Sequence, residues 1–305
     1  MSEPPRSFVI PAQILRAFDI EATRAWAAGL SATTHDLLEA WELRPDGTVL
    51  SGEAGVVVPV RRADDSPAAL KIQPPRTETT AAILGLTRWD GRGSVQLLDS
   101  DADRGAMLLE RLHADRSLES APEDESIRIV GSLLLRLHSA PAPTGLPQVG
   151  AVVDEMTANV PGALRLLTQD DRSRVDRWLQ VMAEVRPEPG DRLLHWDLHH
   201  GNVLAADREP WLAIDPEPLV GDPGFDLWPA LDSGWSADET VTDAGRIVRR
   251  RFDVLTEMLG LDRARAAAWT TARLLQNTLW DIEDGHTAIS AAAIVIDDAL
   301  KPSRQ

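Results

Sequence analysis

Three side chains in the C-terminal half, Asp197, Asn202 and Asp215, are the ones whose types and spacing could do chemistry. They lie within residues 193–227, LLHWDLHHGNVLAADREPWLAIDPEPLVGDPGFDL. Moving a phosphoryl group onto a hydroxyl needs one carboxylate near the attacking oxygen, plus an amide oxygen and a second carboxylate on a divalent cation. Asp197, Asn202 and Asp215 supply those three in that order. The segments 202–205 and 211–214 read as short apolar strands joined by a turn at 207–210, and a hairpin there would bring Asn202 and Asp215 together. Taken singly, Asp and Asn beside strands are ordinary turn formers. Three at this spacing on a loop–hairpin–loop pattern make a catalytic constellation. His195, His199 and His200 raise the question of a metal, since histidine is the commonest ligand. No helical pattern spans 195–199, however, and the Glu of a zinc-protease motif is missing. His195 is expected instead to hold the loop's shape through hydrogen bonds to backbone.

Composition adds a second group. Of the 31 basic residues only Lys71 and Lys301 are lysine, and Lys301 lies in the C-terminal tail. Lys71 sits in the apolar run AALKIQ at 68–73, which reads as a strand and is similar to the Val-Ala-Ile-Lys strand that grips nucleotide phosphates in kinases. A chain that otherwise uses Arg has kept a compact ammonium here, where the two cations are not interchangeable. Glu78 opens the helical stretch 76–89 and is expected to pair with Lys71. A plain first-turn acid, favoured by the helix dipole, is the alternative. Ser51 and Gly52, in SGEAG at 51–55, are candidates for the loop over the phosphates, although the full Gly-x-Gly-x-x-Gly is absent. Glu110 and Leu112, at the end of the last N-terminal strand, are candidates for offering backbone groups to an adenine.

These groups need elements to position them, and the patterning predicts two lobes. Helical spacing appears at 20–30 and 33–43, then strand signals at 48–50, 56–60, 68–73, 95–99 and 106–110, interrupted by the helix at 76–89. Residues 1–112 therefore read as a small, mostly antiparallel β lobe with a helix. Beyond 112 the pattern turns helical, at 123–138 and 172–186, and residues 113–305 read as a larger helical lobe. Asp226 is expected to support the catalytic loop by accepting backbone N–H bonds. Asp222 stays open between a cap and a substrate contact.

One helix, 262–284, breaks a local rule. Its last turn carries Trp280, Asp281, Glu283 and Asp284, although acids oppose the negative end of a helix dipole by up to about 1 kcal/mol each. Uncompensated rule-breaking suggests a site for something positive, and guanidinium groups both pair with carboxylates and stack on indoles. The bland alternative is a solvated helix end whose acids pair with Arg273 or Arg246.

Length and balance bound the rest. At 305 residues the chain exceeds a single small core. It has no cysteine, which excludes disulfides and metal thiolates. The start, MSEPPR, lacks the basic and apolar regions of a leader, and no stretch is long enough to span a bilayer. A cytoplasmic location is expected. The formal charge of −17 argues against nucleic acid or a membrane surface as partner and favours a small cationic substrate. Solubility alone would also account for it.

Taken together these residues resemble the aminoglycoside and hydroxyurea antibiotic-resistance kinases, most nearly the branch that phosphorylates streptomycin. The resemblance is carried by LHWDLHHGNVLA at 194–205, EPWLAIDPEPL at 209–219 and GDPGFDLWPAL at 221–231, with RRRFD at 249–253, LLQNTLWDIEDG at 274–285 and LKIQ at 70–73. It implies an α+β, bilobal protein-kinase-like fold and transfer from ATP (GTP being possible) to the 6-hydroxyl of the streptidine ring. Asp197 would orient and deprotonate that hydroxyl, Asn202 and Asp215 would hold Mg²⁺, and Lys71, tied by Glu78, would bind the phosphates. Streptidine's two guanidinium groups suit the acidic balance. Two departures from protein kinases stand out: Trp196 replaces the Arg of His-Arg-Asp, and Pro216 follows the metal Asp, where a fixed φ discourages a flipping segment. A kinase of the same family acting on hydroxyurea, another cationic antibiotic or a small metabolite remains an alternative. A non-catalytic pseudokinase is another, against which the complete Lys71, Asp197, Asn202 and Asp215 set argues.

Overall fold

The computed structural model describes residues 10–18, 20–21, 23–52, 54–233 and 241–301. The opening MSEPPR and Glu53 of the 51–55 loop lie outside the described residues. By its own contacts the chain divides into two compact units, Met1–Gly91 with Val95–Leu112, and Arg92–Ser94 with His113–Gln305.

Apolar alternation builds the sheet of the first unit. In β3 (Val56–Arg61), Val56, Val58 and Val60 are buried and their neighbours are partly exposed, the period-two signature of a strand with one face on a core. β4 (Pro67–Ile72) pairs antiparallel with β3 and with β6 (Ala106–Glu110), and β5 (Leu97–Asp101) lies outside β6. Two short strands, β1 (Arg44–Pro45) and β2 (Leu50–Ser51), pair with β3. Lys71 stands between Val57 and Met107 in this register and is buried. The core side is covered by Leu30 and Leu37 of α2 (Arg24–Ala40), which cluster with Val58, Leu70 and Ile72.

Some elements differ from the sequence expectation. The helices expected at 20–30 and 33–43 are one helix, because nothing between Ser31 and Thr33 can stop it. The chain turns only beyond Ala40, with Glu42 at φ +52°. A short α1 (Ala12–Ala17) precedes it. The helix at 76–89 forms as α3 (Thr77–Trp89), and its buried residues are Thr79, Ala81, Ala82, Gly85, Leu86 and Trp89.

In the second unit, β9 (Val203–Ala205) and β10 (Trp211–Ala213) form the expected hairpin, and β7 (His113–Ser117) adds a third strand beside β9. A separate ribbon joins β8 (Arg192–Leu194) to β11 (Leu219–Gly221). Around them pack α4 (Glu123–His138), α5 (Val149–Ala163), α6 (Gln169–Val185), α7 (Trp228–Asp232), α8 (Val241–Leu259), α9 (Arg263–Glu283) and α10 (Ala291–Leu300). α4 has the bounds expected for it, with Glu123, Asp124 and Glu125 in the first turn, where the dipole favours acids. α9 is capped by Asp262, whose carboxylate accepts the Arg265 N–H at 2.8 Å. Thirteen of its residues are buried on all sides, as a central helix requires. Among the described residues, no helix is long and apolar enough to cross a membrane.

Candidate active site

The catalytic-loop candidate is hung from one buried carboxylate. Asp226 is fully buried and accepts the His195 N–H at 2.9 Å and the Trp196 N–H at 2.5 Å. His138, at the end of α4, donates its Nε2–H to the same carboxylate at 2.8 Å. Burial alone would raise the pKa of Asp226, but the His138 bond and the backbone donors outweigh it and hold it below the usual carboxylate range. Catching two successive N–H groups requires an unusual backbone turn, and Trp196 adopts φ +69° there.

His195 has both ring nitrogens engaged. Nε2–H donates to the Ile214 carbonyl at 3.1 Å, and Nδ1 accepts the Asp197 N–H at 3.4 Å. Both contacts demand the neutral Nε2–H tautomer, and burial pushes its pKa down to about 4. Through these bonds His195 ties the loop to the strand that leads to Asp215.

Asp197, Asn202 and Asp215 are brought together by that hairpin. The Ile214 N–H donates to the Asn202 carbonyl at 2.9 Å, one step past the β9–β10 ladder, so Asp215 leaves the strand beside Asn202. Asp215 turns away with φ +57°. The Asn202 Nδ2 amide donates to Asp197 twice, to its carbonyl at 2.9 Å and its Oδ2 at 3.1 Å. With both donors so used, the Asn202 Oδ1 is the acceptor left over. An amide oxygen and a carboxylate are hard donors that suit Mg²⁺, which completes its shell with phosphate oxygens and water. The residues therefore fit the metal expected of them. His199 approaches Asp197 Oδ2 at 3.8 Å through Nε2, its Nδ1 being occupied by the Gly201 N–H at 3.1 Å. Burial holds the Asp197 carboxyl above its ordinary range, against the pull of His199 and Arg273.

The acidic end of α9 divides between two faces. Trp280 and Glu283, with Gln276, line a cavity of about 210 Å³ together with Trp196, Glu155 and Met156. Asp281 faces Asp232 of α7 instead. Both carboxyls are raised, first by burial, and Asp281 raises Asp232 further. Asp284 is the C-cap of the helix and is exposed. The bland pairing does not occur: Arg246 pairs with Asp243, and Arg273 hydrogen-bonds Gln276. Among the described residues, Asp281, Glu283 and Asp284 make no salt bridge. Asp222 resolves as a cap: it accepts the Gly224 N–H at 2.8 Å and pairs with Arg265 at 2.7 Å.

In the first unit, Lys71 has the expected strand but not the expected partner. Glu78 is exposed in the first turn of α3 and does not pair with Lys71. The buried position beside it belongs to Thr79, which accepts the Gln73 Nε2–H at 2.9 Å and donates to the Pro74 carbonyl at 2.8 Å. No carboxylate lies on the buried face of α3, so Glu78 is the dipole-favoured acid. Ser51 ends β2, and Gly52 follows it, exposed, with open space where a Cβ would stand. Gly55 is different, since a Cβ there would meet the Ile72 carbonyl at 2.3 Å. Its small size serves hairpin packing. The Glu110 carboxylate accepts the Gln96 N–H at 2.7 Å, and Leu112 is half-buried at the end of the unit.

Several residues around the candidate site escaped the sequence reading, His138, Glu155, Trp228, Asp232 and Gln276, and Arg273 entered it only as a possible partner for the acids of α9. One signal was available for part of them. The chain has 10 Trp against 4 Phe and no Tyr, and three of those indoles, Trp196, Trp228 and Trp280, surround Arg273.

Comparison with known proteins establishes the fold and the family. The backbone matches a macrolide 2'-phosphotransferase from Brachybacterium faecium with TM-score 0.56 at 19% identity, covering 88% of this chain and 98% of that one. The fold is thus that of the protein-kinase-like phosphotransferases. Residues 40–285 match the family model of the aminoglycoside/hydroxyurea antibiotic resistance kinases. The chain is 59% identical over 282 residues to a streptomycin 6-kinase of Streptomyces griseus, covering 92% of each. It is 45% identical over 298 residues to a hydroxyurea phosphotransferase of Kitasatospora aureofaciens, covering 95% of this chain and 85% of that protein. The chain belongs to the aminoglycoside/hydroxyurea antibiotic resistance kinase family, and it is an enzyme of the phosphotransferase class. Kinases as a class use a nucleotide and a divalent metal.

Proposed function

We propose that the protein transfers the terminal phosphoryl group of ATP, with Mg²⁺, to the 6-hydroxyl of streptomycin's streptidine ring, inactivating the antibiotic in the cytoplasm. The observation that carries this reading is the cavity bounded by Trp196, Trp280, Glu155 and Glu283. Indole faces and carboxylates are what a guanidinium selects, Glu155 and Glu283 make no salt bridge among the described residues, and Trp196 is the neighbour of Asp197 in the chain. Hydroxyurea is small and uncharged and has no use for such walls. The charge of −17 supports the same substrate and speaks against nucleic acid or membrane partners.

In this reading Asp197 accepts a hydrogen bond from the acceptor hydroxyl and aims its oxygen at the phosphorus. The new O–P bond forms as the bond to the β-phosphate oxygen breaks, and the hydroxyl proton passes to the Asp197 carboxylate late in transfer. Asn202 and Asp215 hold the metal, which when bound neutralises charge on the phosphates. Asn202 also steadies Asp197 through its amide. Lys71 binds the nucleotide phosphates without help from Glu78. Ser51 and Gly52 border the phosphates, and the backbone at Glu110 and Leu112 receives the adenine. His195 and Asp226 keep the loop in register.

The test is a phosphotransfer assay with Mg·ATP and mass spectrometry of the acceptor, running streptomycin beside kanamycin and hydroxyurea. Phosphorylated streptomycin with the other two untouched is the expected result, and fragmentation then maps the hydroxyl. Phosphorylation of hydroxyurea alone, or none of the three despite Mg·ATP binding, would overturn the substrate assignment.

A further inference from the structure

Arg273 is 4% exposed, yet it makes no salt bridge among the described residues. Its Nη1 donates to Gln276 Oε1 at 2.6 Å, and its Nε is buried without an acceptor. The guanidinium lies 4.9 Å from the ring centre of Trp196, 5.0 Å from that of Trp280 and 5.4 Å from that of Trp228. The carboxylates of Asp197, Glu217 and Asp226 act on it through space but do not pair with it, and desolvating a cation with no carboxylate in contact is costly. Indole faces offset part of that cost, but an apolar side chain of similar volume would fill the space with less penalty. Stability therefore does not account for a charge here.

Its neighbours do. Trp196, Trp280 and Gln276 each touch Arg273 on one side and line the 210 Å³ cavity on the other. The Trp196 and Trp280 rings are 5.9 Å apart at an interplanar angle of 57°. With its Oε1 held by Arg273, Gln276 keeps its amide N–H groups as donors on the cavity wall.

We propose that Arg273 is a positioning residue of the acceptor site, clamping Trp196, Trp280 and Gln276 from behind so that fixed indole faces and a fixed amide meet a cationic, hydroxyl-bearing acceptor. The proposal rests on the cavity being the acceptor site. Burial lowers the Arg273 pKa to about 10, which leaves it charged at neutral pH. The planar fork is what the clamp uses: it stacks on several rings while donating in its own plane, and a lysine ammonium cannot do both.

Steady-state kinetics of the wild type, Arg273→Lys, Trp280→Leu and the double variant test this, together with circular dichroism of each. Arg273→Lys should raise the acceptor KM tenfold or more, with kcat within threefold and the nucleotide KM unchanged. In the Trp280→Leu background it should add little, since the two act through one wall. Its near-ultraviolet spectrum should lose the band of the coupled indoles while the far-ultraviolet spectrum is kept. An unchanged acceptor KM, a fall in kcat alone, or full additivity would overturn the clamp. If Arg273→Lys fails to fold, Gln276→Leu replaces it, with the same split in KM expected and an unchanged KM overturning the idea. Absence of wild-type turnover on streptomycin would be a failure of the acceptor reading. The near-ultraviolet comparison judges the clamp independently, and an unchanged spectrum would sink it.

Discussion

The catalytic loop and the end of α9 are built on opposite principles. At Asp226 the buried charge is answered: three donors converge on one carboxylate, and His195 uses both ring nitrogens. At the end of α9, Asp281, Glu283 and Asp284 have no salt bridge among the described residues, and Asp281 burdens Asp232. The first region commits its charges to holding geometry. The second leaves them uncommitted, as a surface awaiting a cation does. Preorganisation at the proposed reacting group and unsatisfied charge at the proposed recognition end are separable properties, and substitutions should separate them.

The largest effect is expected at the chemistry itself. Asp197→Asn should lower kcat on the order of 10²–10⁴-fold with nucleotide affinity nearly intact, as read by kinetics and nucleotide titration. Loss of both would assign Asp197 to the metal or the fold. Next comes the scaffold: Asp226→Ala strands three buried donors and should cost about 3–5 kcal/mol in denaturant unfolding. A loss below about 1 kcal/mol would erase the contrast between the two regions. The scaffold should also respond to acid. The folded pKa of His195, about 4, lies below its ordinary value of about 6.5. Between those values the unfolded chain binds the proton and the folded one does not, so stability is complete above pH 6.5 and is lost as pH falls toward 4, by roughly 3 kcal/mol. Unfolding curves at pH 7.5 and 5 should show His195→Gln with a flatter dependence than the wild type.

Smaller effects belong to the recognition end. Glu155→Gln and Glu283→Gln should each raise the acceptor KM roughly three- to tenfold, the weight of one partly solvated charge pair, and should leave folding stability unchanged or slightly improved. A drop in kcat with KM constant would place these carboxylates in the chemistry instead. Least of all, Arg44→Ala removes the exposed pair with Asp65, whose side chains are 66% and 72% exposed, and should alter neither activity nor the melting temperature measurably.

What the sequence disclosed follows range. Asn202 and Asp215 were legible together because a hairpin is local: alternation, a Pro-containing turn and short strand length suffice to put its ends side by side. The α9 bounds were legible from Gly260, Asp262 and Gly285. Glu78 misled because Lys71 and an acid at a helix start suggest a pair, whereas the face α3 buries is set by packing, and that face is Thr79, Ala82 and Leu86. α5 went unseen since Gly150, Pro161 and Gly162 mimic breakers, and with it went Glu155. The Arg273 cage joins a loop, the start of α7 and α9, a conjunction that no local window contains.

Lys71 carries one more consequence. Beside it the chain has a single lysine, Lys301, and that one is spread over the carboxylates of the buried Asp297 and the exposed Asp298. To an amine-directed reagent the side chains therefore form a nearly blank canvas. If Lys71 binds the phosphates as proposed, a reactive group delivered on a nucleotide would find that one buried ammonium on β4, and peptide mapping of the adduct would report nucleotide occupancy from a single residue, with no engineered handle.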